Sequence, residues 1–94
     1  MQRVCLALPT MRACPGTIVD LAEEAAYAVE TFGAEVHLLV LDTTEGAEFA
    51  KNADAVAALA PAPGVFVHHL GNEAQHAFFL DVARRSGGAD PGLL

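Results

Sequence analysis

Three apolar runs, each followed within a few residues by a helical pattern, constrain this chain more than any other feature. The first is RVCLALPTMRACPGT, Arg3 to Thr17, where Val4, Cys5, Leu6, Ala7 and Leu8 form an unbroken apolar run that ends at Pro9. Such a run reads as a strand buried on both faces. Thr17-Ile18-Val19-Asp20 then fits a helix start, with the Thr17 hydroxyl as cap and Asp20 in the first turn. Ile18, Leu21, Ala22, Ala25, Val29 and Phe32 recur at helical spacing, and Gly33 supplies a stop.

The same step is repeated twice. EVHLLVLD, Glu35 to Asp42, is a second buried strand, after which Thr43 or Thr44 can cap a helix whose weak apolar stripe is Phe49, Ala53, Val56 and Ala60. Pro61, Ala62, Pro63 and Gly64 break it. VFVHHL, Val65 to Leu70, is a third strand, and Asn72 with Gln75 three residues on opens a third helix. The alternation predicts an α/β fold, β-α-β-α-β-α in three layers around a small parallel sheet, because right-handed crossovers bring successive strands side by side. The predicted domain is 1–86, with 87–94 a flexible C-terminal tail or a point of truncation. Two strand orders are compatible: 2-1-3 places the first strand in the centre, and 3-2-1 leaves it at an edge, where an apolar strand calls for a further strand to cover it.

Charge and thiols narrow the function classes. Twelve acidic against five basic residues give a formal net charge of −7, which disfavours nucleic acid and anionic membrane surfaces as partners. No apolar stretch approaches the ~20 residues of a membrane helix. The apolar run before Pro9 is too short for a signal peptide, and two isolated cysteines do not make a disulfide framework. A cytoplasmic location is expected. His68 and His69, adjacent on a strand, point to opposite faces and cannot share an ion, so no metal site is expected.

Ligands of open α/β sheets bind outside the carboxyl ends of the strands. That places Pro9, Thr10, Met11 and Arg12, after the first strand, near Asp42 and Thr43 at the end of the second. Arg12 can hold a phosphate or carboxylate, and Asp42 can accept from a ribose hydroxyl or a base N–H. At a strand end, Asp42 is expected to be replaceable by alanine without unfolding. The chain has no GxGxxG or Walker phosphate loop. Cys14, before a helix, has no base placed beside it by sequence and reads as an idle thiol.

LALPTMR, a helix, and then EVHLLVLDTT resemble the start of an inverting family-2-type glycosyltransferase with the GT-A fold. They are also similar to GT-A-like proteins that accompany natural-product biosynthesis genes in high-GC bacteria. The resemblance covers residues 2 to about 70 and implies a Rossmann-like half of a GT-A fold. By that resemblance Pro9 and Thr10 line the base pocket, Arg12 approaches the nucleotide, Asp42 contacts the uracil or ribose of a nucleotide sugar, and Met11 and Thr43 complete the nucleotide-binding set. Met11 stands where many relatives carry an aromatic, and Thr43 where many carry a second acid. The family's metal-binding Asp-x-Asp motif is missing from the sequence. No cofactor is therefore expected within this chain, and Mn or Mg only together with a DxD-containing part. The implied function is the nucleotide-sugar-binding half of a glycosyltransferase, catalytically incomplete at 94 residues, with a missing C-terminal half or a homodimer as partner. The competing reading is a non-enzymatic α/β module that acts through dimerisation or a protein partner and has strand order 2-1-3.

Overall fold

The computed structural model describes residues 2–85 and shows the expected alternation, β1 (Arg3–Thr10), α1 (Pro15–Phe32), β2 (Glu35–Asp42), α2 (Gly46–Ala57), β3 (Val65–Leu70) and α3 (Asn72–Arg85). The tail expected over 87–94 lies outside the described residues. The strands form a three-stranded parallel sheet in the order β1-β2-β3. Both crossovers therefore step in the same direction, and the order 2-1-3 is not adopted. β1 stands at an edge, where Arg3 pairs with Glu35 and Thr10 with Asp42 at the two ends of its ladder to β2.

The central strand is the most deeply buried, on the face that the helices cover, and is half-buried on the other. Val36, Leu38 and Val40 of β2 are fully buried against Ile18 and Ala25 of α1, and Val4, Leu6, Leu8 and Val67 pack around them. β1 is not buried on both faces. Its residues alternate, with Val4, Leu6 and Leu8 half-buried and Arg3, Cys5, Ala7 and Pro9 exposed. An edge position with helices over one face explains the difference, because an unbroken apolar run does not say which strand takes the centre.

On the second face of the sheet a polar chain crosses all three strands. Arg3 Nε lies 3.1 Å from Glu35 Oε2, which also meets His37 Nε2 at 3.0 Å. The other His37 nitrogen meets His68 Nε2 at 3.0 Å, and the His37 ring stacks on half-exposed Phe66 with centroids 4.9 Å apart. The adjacent pair His68 and His69 does point to opposite faces, since His69 bonds to Asp42 on the helix-covered side.

The helices begin earlier or later than their capping residues suggest. α1 starts at Pro15 with Cys14 as N-cap and no side-chain cap, which puts Thr17 inside the helix and Asp20 beyond its first turn. Proline at the first position needs no amide partner and has the helical φ already set. α2 starts at Gly46 with Glu45 as an N-cap that makes no side-chain bond, because Thr43 and Thr44 are used elsewhere. Gly33 ends α1 in the left-handed conformation, as expected. Phe32 does not join the core and is 70% exposed. Near the end of α3 Arg85 pairs with Asp81 at 2.9 Å, an exposed i,i+4 contact.

Candidate functional site

The carboxyl ends of β1 and β2 are bound together through the residues that the sequence singles out. Thr10 and Asp42 are register partners. The Thr43 amide and hydroxyl both donate to the Thr10 carbonyl, each at 3.1 Å. Thr10 is buried, and its hydroxyl donates to the Arg12 carbonyl at 2.6 Å while accepting from the Arg12 amide at 3.2 Å. This closes a tight turn after β1. The Cys14 sulfur also lies 3.4 Å from the Thr10 hydroxyl, so the thiol is a structural contact of the same turn.

Asp42 is the hub. It has no exposed surface, and its carboxylate accepts four hydrogen bonds. Oδ1 accepts from the Thr44 amide at 2.8 Å and the Thr44 hydroxyl at 2.5 Å, and Oδ2 from Asn52 Nδ2 at 3.0 Å and His69 Nε2 at 2.7 Å. An ionised carboxylate only accepts, so His69 carries its proton on Nε2. Phe49 of α2 stacks on that ring with centroids 4.4 Å apart. The Asp42 carbonyl accepts from Gln75 Nε2 at 3.3 Å, which ties the start of α3 to the same point.

Asn52 completes the network from the middle of α2. Its Oδ1 accepts from the Cys14 amide at 2.8 Å, and its Nδ2 donates to the Arg12 carbonyl at 3.2 Å as well as to Asp42. Only this amide orientation serves all three partners, because Cys14 N–H needs an oxygen and Asp42 needs a donor. The loop from Met11 to Cys14 is thus held from below by a fully buried side chain.

The expected residues separate into two groups. Pro9, Met11, Arg12 and Thr43 are exposed at the strand ends, with Met11 85% exposed, whereas Thr10 and Asp42 are buried supports. The Asp42 oxygens are occupied by protein donors, so its part in the site is to position other groups. Asn52, Thr44, His69 and Gln75 were not among the expected site residues. Asn52 carried a readable signal, because it stands three residues after Phe49 and four before Val56, on the apolar stripe of α2.

Burial alone pushes the Asp42 carboxyl up. The hydrogen bonds from the Thr44 hydroxyl, His69, Asn52 and the Thr44 amide outweigh it, lowering its value from 3.8 to about 2. The folded value lies below the unfolded one, so the stabilisation is complete above about pH 4 and is lost as pH falls toward 2. The expected loss is about 2 kcal/mol, read as a fall in the urea midpoint between pH 4 and pH 2. Carbon NMR of the Asp42 carboxyl checks the cause, and titration at the ordinary carboxylate value overturns it.

Above the network Arg12 and the start of α1 are exposed, with the Glu48 carboxylate 3.5 Å from the Ala13 amide between them. The α1 N-terminus has no side-chain cap and no acid in its first turn, and Arg12 is exposed two residues before its N-cap. Backbone amides at a helix start together with a guanidinium can hold a phosphate. Among the described residues no group of three His, Cys, Asp or Glu side chains is arranged to hold a metal ion. No helix among them is long and apolar enough to cross a membrane. Comparison with curated proteins and with solved structures gives no match. One family model spans residues 2–94, and the chain belongs to that family, a family of unknown function (DUF6271).

Proposed function

We propose that this chain is the nucleotide-sugar-binding half of a glycosyltransferase-like protein of the bacterial cytoplasm, catalytically incomplete in its 94 residues. The observation that carries the reading is the pairing of Thr10 with Asp42 at the carboxyl ends of adjacent parallel strands, with exposed Arg12 and an uncapped α1 N-terminus beside them. This is where open α/β sheets take ligands. In this reading Pro9 and Met11 lie along the base, Arg12 meets the phosphates, and the Thr43 side of the crevice faces the ribose. Asp42 and Thr10 keep the pocket in shape from beneath. Sugar transfer also needs a catalytic base and a cation for the diphosphate, and the sequence contains no Asp-x-Asp to bind one. The competing reading, a self-sufficient dimerising module, drew on a central first strand, and the observed order removes that support.

Calorimetric titration with UDP, with and without manganese, tests the proposal. Saturable binding is expected, and Arg12→Ala should weaken it about tenfold, the size of one lost charge-assisted hydrogen bond. Arg12 is exposed, so the variant should unfold like the wild type. Absence of saturable binding, or equal affinity in the variant, would sink the proposal.

A further inference from the structure

Among the described residues β1 pairs with β2 on one side only. Glu35 N donates to the Gln2 carbonyl at 2.8 Å, and Thr43 N donates to the Thr10 carbonyl at 3.1 Å. With the register between those ends, the even-numbered residues of β1 direct both their N–H and C=O groups at β2. Arg3, Cys5, Ala7 and Pro9 direct theirs away from the sheet, and no backbone partner for them is found among the described residues. The missing amide of Pro9 falls on that open side, which is why proline is compatible with this strand. Among the described residues this eight-residue edge leaves three amides and four carbonyls without a backbone partner, which makes it a template for another strand.

We infer that the occupant is a second copy of this chain, paired antiparallel through β1 about a two-fold axis beside Leu6. The strand is self-complementary, as a two-fold interface requires. In this register Cys5 lies opposite Ala7 of the second copy, and Arg3 opposite its Pro9. Every edge amide then meets a carbonyl, and the Arg3 carbonyl, facing proline, is the group left over. The half-buried residues also match, Leu6 with Leu6 and Val4 with Leu8, and these are the side chains whose burial β1 leaves unfinished. No acid lies within β1. The two Arg3 side chains fall at opposite ends, and each is already paired with its own Glu35. The result is one continuous six-stranded sheet, which removes the exposed edge without altering either carboxyl-end crevice.

Sedimentation equilibrium under reducing conditions tests this. At high micromolar concentration the expected mass is twice the 9.8 kDa of one chain. Ala7→Pro removes an amide that faces the edge and none that faces β2. It should therefore give a single-chain mass while retaining the circular dichroism of the wild type and, at dilutions where the wild type is also a single chain, its urea midpoint. A second variant keeps the test decisive if Ala7→Pro fails to fold. Facing residues of such a pair have Cα atoms about 5.5 Å apart, within disulfide range. In a Cys14→Ser background, Ala7→Cys should cross-link to Cys5 of the second copy on mild oxidation, and the Ala7 parent should not. A wild type of single-chain mass at every concentration overturns the inference, as does a dimer that survives Ala7→Pro. Cross-linking through Cys5 in the Ala7 parent overturns the register.

Discussion

Asp42→Ala is expected to destabilise the protein by about 3 to 5 kcal/mol, the usual cost of removing one partner from a buried charged network. The substitution strands the Thr44 hydroxyl and amide, Asn52 Nδ2 and His69 Nε2, all of which point at the vacated carboxylate. Each orphaned buried donor costs about 1 to 3 kcal/mol, less whatever the collapse of the site or an entering water recovers. A domain of this size has a total stability near the low end of about 5 to 15 kcal/mol, so the variant should be largely unfolded at moderate urea and partly unfolded near 37 °C. Asp42→Asn should fall between the two. Its oxygen can keep the Thr44 bonds, and His69 can accept from the new amide by changing tautomer, but that amide also faces the donor of Asn52. Urea denaturation at pH 7 measures all three proteins. An alanine variant within 1 kcal/mol of the wild type, about the net value of a single hydrogen bond, would show that the network does not hold the crevice together.

This outcome differs from what a strand-end acid suggests by sequence alone. Asp42 follows four apolar residues and precedes two threonines, which places it at the end of β2 but does not show whether it faces solvent. Its surroundings are supplied by residues distant in sequence, Asn52 on α2 and His69 on β3, and strand pairing brings them together. His69 lies on the helix-covered face because it shares the parity of Val65 and Val67, and that parity is visible in VFVHHL. Which face the helices cover is not visible there. The alternation of strands and helices was legible because each element has a strong period and clear breakers, Pro9, Gly33 and the Pro61 to Gly64 cluster. Strand order was not, since both orders satisfy the same crossovers. The capping expectations failed for a local reason: Thr44 and Thr43 have closer partners in Asp42 and the Thr10 carbonyl than in the first turn of α2.

Asn52→Ala should cost about 2 to 4 kcal/mol, because it removes three bonds and leaves the Cys14 amide, the Arg12 carbonyl and one Asp42 oxygen short of partners. Its effect reaches further than stability. The loop that carries Met11 and Arg12 is held by the Thr10 turn on one side and by Asn52 on the other, so the variant should lose protection of the Cys14 amide in hydrogen exchange while the β2 amides keep theirs. Asn52→Asp separates hydrogen bonding from charge. It puts a second carboxylate where the Nδ2 now lies 3.0 Å from Asp42 Oδ2, and two like charges so close and buried cannot both remain ionised without a large penalty. At pH 7 the aspartate variant should therefore be less stable than the alanine variant. The gap should close as pH falls toward 5, because a shared proton restores a donor between the two oxygens. Equal stability of the two variants at pH 7, or a gap insensitive to pH, would mean that water enters beside Asp42 and that the loop is not fixed from the buried side.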